Sequence, residues 1–287
     1  MKIGLLLVLM LLPWALYGQS KAVIHGQELR LDKKSGKLLV DQEVTGYDAR
    51  KGVRFRSDKL EVLRDPTSNK ITFAKAQGFV VVTQGMEYAS FDQGLYQRNM
   101  SLITLTGGVI IGNDQARIEG DRAVYDTETQ EAKLQAQPNQ QLHFLFHQQN
   151  PDDPSAPTEV TGVADEIRVF REQNKAILQG HVQVYDPVEP SQFTAGRVVV
   201  FFDDTNQLDE MTASGGFTMK QPGRESTSRR AVLSYNTRLI SLLGNAKVQQ
   251  AGEGEVRGDR VEMHMDVKKG FVRGKRKKPL RIEIPLD

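Results

Sequence analysis

The 287-residue sequence has no cysteine. An exported chain of this kind cannot rely on disulfides, so packing and backbone pairing must hold its fold. It also lacks an excess of either charge: 38 basic residues against 36 acidic ones leave a net charge of +2. That balance argues against a dedicated nucleic-acid binder, which would be strongly basic. Helical periodicity is missing after the first twenty residues, and so is any later apolar run long enough to span a membrane. Nucleophile-elbow, phosphate-loop and calcium-repeat motifs are absent too.

At the start, Lys2 precedes an apolar stretch from Ile3 to Leu12, followed by Pro13, Trp14 and Tyr17 and the small residues Gly18 and Ser20. Residues 1–20 therefore read as a secretory signal peptide, too short for a spanning helix. Cleavage after Gly18 or Ser20 is the first reading. An uncleaved inner-membrane anchor is the second, since neither site has the A-x-A form.

The mature region is organised by an internal repeat. A small-Asp-polar-apolar-x-apolar pattern recurs around Asp58, Asp121, Asp165 and Asp259, with weaker copies at Gln27, Glu87, Gly196 and Arg229. The steps between these positions are 31, 29, 34, 44, 31, 33 and 30 residues. The long step holds Pro138, Pro151, Pro154 and Pro157 and predicts an inserted loop at 138–157. A second element follows each first one: an apolar or small residue, a glycine, then alternating apolar residues, as in Leu105-Thr-Gly-Gly-Val109 and Leu178-Gln-Gly-His-Val182. Both elements alternate with period two, and turn formers such as Asp65-Pro-Thr-Ser-Asn69 separate them.

Units of about thirty residues cannot bury an apolar face alone, so they must stack. The predicted fold is all-β, an elongated stacked-repeat β-jellyroll or flattened open roll of about eight repeats. Repeats 1–4 fall at 21–137 and repeats 5–8 at 158–287. Small inward residues such as Ala89, Ala123, Ala231 and Ala246 leave room for a cavity, or else fit a crowded core.

The stretches Gly120-Asp-Arg-Ala-Val-Tyr-Asp126 and Gly258-Asp-Arg-Val-Glu-Met263, with sequels Leu178-Gln-Gly-His-Val-Gln-Val184 and Leu243-Gly-Asn-Ala-Lys-Val248, resemble the repeat unit of the OstA-like family. That family includes the periplasmic lipopolysaccharide-transport protein LptA. The resemblance covers most of residues 23–285. It implies a β-jellyroll whose hydrophobic groove takes the acyl chains of lipopolysaccharide during outer-membrane biogenesis, without chemistry on the lipid. It also implies a periplasmic carrier or bridge with no cofactor, partnered by transport components of the same fold at the two membranes. Both the greater length and the insertion depart from the family pattern.

The acyl-facing set is then the inward parity of the repeats: Leu60, Val62, Phe91, Ala123, Tyr125, Ile167, Val169, Val198, Val200, Leu233, Val261 and Met263. The basic run offers Arg273, Lys275, Arg276 and Lys277 as phosphate contacts; the competing reading is a solvated edge that discourages strand addition. His143 and His147 share a strand face but lack a third metal ligand. The repeated aspartates suggest two alternatives: stacked carboxylates of a carbohydrate-active β-helix enzyme, or structural residues beside turns. A non-catalytic adhesin or assembly module is a further alternative. Unpaired first and last strands, around Leu29–Val40 and Val261–Val272, predict end-to-end association, either as a head-to-tail homo-oligomer or with partners of like fold.

Overall fold

Alternating apolar and polar residues bounded by Asx turns build this chain almost entirely from antiparallel strands. The structure, a computed structural model, describes residues 22–49, 52–68, 70–148, 158–187, 190–204, 208–252, 254–264, 270–273 and 281–283. Among them there is no α-helix, only two short 3-10 turns, Arg98–Met100 and Arg171–Gln173. The chain divides into two compact units, one of residues 1–142 and 168–173, the other of 143–167 and 174–287. Residues 1–20 lie outside the described residues.

The first unit contains β1 (Ala22–His25), β2 (Glu28–Asp32), β3 (Lys37–Asp48), β4 (Val53–Arg64), β5 (Ile71–Gln84), β6 (Glu87–Gln97), β7 (Leu102–Gly112), β8 (Ala116–Asp126) and β9 (Glu131–Gln135). Each strand from β3 to β9 pairs antiparallel with the next in sequence. Carboxylates and amides end the strands where the sequence predicts turns. Asp65 Oδ1 accepts from the Thr67 and Ser68 amides at 3.0 and 2.6 Å, and Asn113 Oδ1 from those of Gln115 and Ala116 at 2.8 and 2.7 Å.

After β9 come β10 (Leu142–Gln148), β11 (Thr158–Ala164) and β12 (Glu166–Phe170). Thus part of the segment expected as a loop at 138–157 is a strand, in which Leu142, Phe144 and Phe146 share one parity and His143 and His147 the other. Leu142 is fully buried over Gly120, where an added Cβ would meet its Cδ2 at 2.3 Å. In the second unit the consecutive pairing resumes through β13 (Lys175–Asp186), β14 (Ser191–Phe202), β15 (Leu208–Gln221), β16 (Arg224–Ser234), β17 (Leu239–Gln250) and β18 (Gly254–His264). On its far side β18 pairs with both β19 (Gly270–Arg273) and β20 (Arg281–Glu283).

A break in register near the middle of each long strand turns these stacks into rolls. Between β3 and β8 and between β13 and β18 every strand pair shifts register near its middle, as at Arg56/Lys59, Thr106/Val109 and Ser214/Phe217, and β4–β5 and β14–β15 shift once more near one end. Inward positions then step by three residues in one class of strand, such as Ser57 to Leu60 and Ala195 to Val198. In the other class they step by four, such as Leu105 to Val109 and Ala213 to Phe217. Both halves of each strand bury one face, and backbone pairing joins the first half of one strand only to the second half of its neighbour. Each unit therefore has two walls meeting along a line of corners.

Candidate functional site: the apolar interior between two walls

The repeated aspartate and the repeated glycine are two parts of one corner. In every second strand the corner residues take the left-handed conformation: Gly78 and Phe79, Gly107 and Gly108, Gly180 and His181, Gly244 and Asn245. A Cβ on Gly78 would lie 2.1 Å from Asp58 Oδ2, one on Gly107 2.3 Å from Asp92 Oδ2, and one on Gly180 2.1 Å from Asp165 Oδ2. Glycine is thus needed twice over, for its backbone angle and for the carboxylate pressed against it. At other corners the carboxylate is replaced: Gly196 backs Gly215, and the stem of Arg229 lies on Gly244. Ser57 and Ser228 are buried at equivalent points, their hydroxyls donating to the carbonyls of Lys59 and Arg230 at 3.3 and 2.9 Å.

These contacts shift one position in the sequence alignment. The third copy of the repeat is centred on Asp92, the residue against Gly107, and not on Glu87. The spacing to the neighbouring copies becomes 34 and 29 residues instead of 29 and 34. Reading Met86-Glu-Tyr-Ala-Ser-Phe91 as the copy follows the apolar alternation. It misses Ser90-Phe-Asp-Gln-Gly-Leu-Tyr96, in which glycine stands where the first apolar residue belongs and the Phe91 ring fills the space over Gly94.

All twelve residues expected to face the interior are buried, none more than 7% exposed. Leu60, Val62, Phe91, Ala123, Tyr125 and Val169 are in the first unit; Ile167, Val198, Val200, Leu233, Val261 and Met263 are in the second. Eleven of them follow the corner position of their repeat and line the same one of the two walls in their own unit; Phe91 precedes it and lines the other wall of the first unit. Of the opposing wall, only Phe91, Ala89 and Ala246 were among the residues expected to point inward, and it was not recognised as a second wall. It carries Val53, Val80, Val82, Val109 and Ile111 in the first unit, and Val182, Phe193, Phe217, Met219 and Ala246 in the second. The glycine of the second repeat element was the signal that could have separated the walls. The Phe193 and Phe217 rings lie 5.8 Å apart, tilted, and Ala89, Ala123, Ala231 and Ala246 are fully enclosed. In this conformation the interior side chains pack against one another.

Polar groups concentrate where the first unit's walls end. Asp48, Gln84 and Glu87 have inward parity at the ends of β3 and β5 and the start of β6. Glu87 Oε2 and the Tyr125 hydroxyl are buried with no hydrogen-bond partner among the described residues. Burial pushes the Glu87 carboxyl up to about 7, with the positive charge of Arg171 pulling the other way. Tyr125 is pushed up to about 12 by burial, again opposed by Arg171. A carboxyl that gives up its proton near neutrality thus sits at the rim of an apolar interior.

Among the described residues no group of three or more His, Asp or Glu side chains is placed to hold a metal ion. His147 Nε2 is 3.4 Å from Glu159, and His181 Nδ1 is 2.8 Å from Asp165 Oδ2 at an exposed corner. Of the suggested phosphate contacts, Arg273 ends β19, while Lys275, Arg276 and Lys277 lie outside the described residues.

The family described as LptA/(LptD N-terminal domain) LPS transport protein matches residues 48–131 and 159–269. No curated protein matches the chain. Among solved structures, the chain is similar to LptH of Pseudomonas aeruginosa, the LptA-homologous periplasmic component of the conserved lipopolysaccharide transport device. The identity is 14% and the TM-score 0.36, over 42% of this chain and 86% of that one.

Proposed function

This chain belongs to the LptA/LptD N-terminal domain family of lipopolysaccharide transport proteins, and from that premise we propose that it is a periplasmic carrier or bridge whose paired walls shield lipid acyl chains on the way to the outer membrane. The observation that carries the reading is the pair of apolar walls in each unit, joined by backbone only along the corners. A lipid chain entering between them exchanges wall-to-wall contact for wall-to-lipid contact, which is nearly neutral. The net gain comes from apolar lipid surface leaving water, at ~25 cal/mol per Å². No disulfide ties one wall to the other, since the chain has no cysteine.

The corner use of Asp58, Asp92 and Asp165 supports a scaffold over a carbohydrate-active enzyme, because each carboxylate packs on a glycine of the next strand and not into a shared cleft. Association with a like-folded partner is part of the proposal. β1 and β2 both pair with β3, and Leu29 and Leu31 on β2 are 62% and 57% exposed although they sit opposite Val40 and Leu38 in the inward register. An added β-edge would cover them.

A photo-crosslinking amino acid at Tyr125 or Val169 should capture lipopolysaccharide in cells, and one at Arg122 or Arg168 should not. Equal capture from both parities, or none from either, would refute lipid carriage between the walls.

A further inference from the structure

In the second unit the outer faces of the two walls differ in the residues they carry. The outward residues of the wall formed by the first halves of β13, β15 and β17 and the second halves of β14, β16 and β18 align in rows across the strands. One row runs Ile177, Val199, Thr212, Val232 and Ser241. These five positions are aliphatic or small, and the row then ends on β18 with Glu262, opposite Ser241. Ile177, Thr212 and Val232 are partly exposed and Val199 and Ser241 are buried, although Val198, Val200 and Leu233 beside them already serve the interior. The opposite wall of the same unit carries Gln183, Thr194, Thr218, Thr227 and Lys247 in the comparable row, with no aliphatic residue. In the first unit the row equivalent to Ile177–Ser241 includes Glu61, Lys75 and Lys133. A strand apolar on both faces expects cover on both.

Beside this row lies a second, in which arginine occupies every other strand: Arg197, Ser214, Arg230, Leu243, Arg260. All three arginines are exposed, and Arg229 adjoins Arg230 at the corner. Arg260 is paired with Glu262, whereas Arg197, Arg229 and Arg230 make no ion pair among the described residues. Arginines two strands apart are separated by ~9.6 Å. The alternate side chains of a single partner strand, ~6.8 Å apart, do not match that interval. A fluid layer of anionic headgroups can supply a phosphate at any spacing, and the aliphatic row can settle at the boundary between headgroups and acyl chains.

We propose that this face is a membrane-docking surface, which seats the second unit on a bilayer containing anionic phospholipid through Arg197, Arg229 and Arg230 and the row from Ile177 to Val232. The face points away from the interior, so docking is independent of lipid carriage between the walls and stands or falls separately from it.

The experiment is sedimentation of the purified full chain with vesicles, either of phosphatidylcholine alone or of equal parts phosphatidylcholine and phosphatidylglycerol. The chain should sediment with the anionic vesicles only, less so as salt rises. Arg197→Gln with Arg230→Gln should weaken partitioning about 25-fold, at about fivefold per arginine. Lys220→Gln, on the opposite wall, should leave it within about twofold, and circular dichroism should show all chains folded. Val199→Ser with Val232→Ser should weaken it as well. Equal sedimentation with both vesicle types, no sedimentation with either, or indifference to the double arginine change would overturn the proposal. So would arginine-dependent capture of an acidic protein without vesicle binding.

Discussion

Replacing Glu87 by glutamine tests the polar rim of the first unit. Its carboxyl is raised from 4.5 to about 7, chiefly by burial. A raised acid binds its proton more tightly in the folded chain than in the unfolded one, so folding is favoured by protonation. Stability is therefore unaffected by this group below pH 4.5, falls as pH rises from 4.5 to 7, and stays reduced above 7. A rise of two and a half units corresponds to at most ~3.4 kcal/mol. Because Glu87 is only half-buried, solvent screening reduces this to ~1 kcal/mol. Glu87→Gln removes the ionisation and keeps the shape, so it should stabilise the protein by ~1 kcal/mol at pH 8 and by almost nothing at pH 4. Thermal or urea unfolding at both pH values measures the difference. Destabilisation at pH 8, or an equal effect at both, would show that the ionised Glu87 is satisfied and that the rim is wet.

The corners predict a contrast between two glycines. Gly78→Ala forces a Cβ onto Asp58 and should cost more than 2 kcal/mol, part of it recovered by adding Asp58→Gly. Gly108→Ala, at φ 54 with open space around it, should cost only the ~1 kcal/mol of the left-handed backbone. Urea unfolding of the three variants separates the steric from the backbone contribution. On β2 of the first unit, Leu29→Asp with Leu31→Asp should reduce concentration-dependent association in sedimentation velocity and leave the unfolding midpoint nearly unchanged, because both side chains are mostly exposed. An unchanged association would exclude β2 from the contact.

The strand content, the stacking and the inward parity of Leu60, Tyr125, Val198 and Met263 were legible in the sequence. Alternation with period two is a local property of the backbone, and eight copies of it leave few other ways to bury apolar surface. The repeated Asp and Gly were legible as motifs but not as partners, since Asp58 and Gly78 are twenty residues apart and meet only because β4 and β5 pair in one register. That register also decided what local alternation could not carry. At each corner the inward positions step by three residues or by four, which put Val109 and Phe217 on a wall facing Leu105 and Ala213 and moved the third repeat from Glu87 to Asp92. The strand Leu142–Gln148 formed despite the prolines around it, because the parity of Leu142, Phe144 and Phe146 found a place for Leu142 over Gly120. The row of arginines beside Ile177, Val199 and Val232 belongs wholly to the tertiary structure. Arg197, Arg230 and Arg260 are some thirty residues apart in the chain, and only strand pairing sets them side by side.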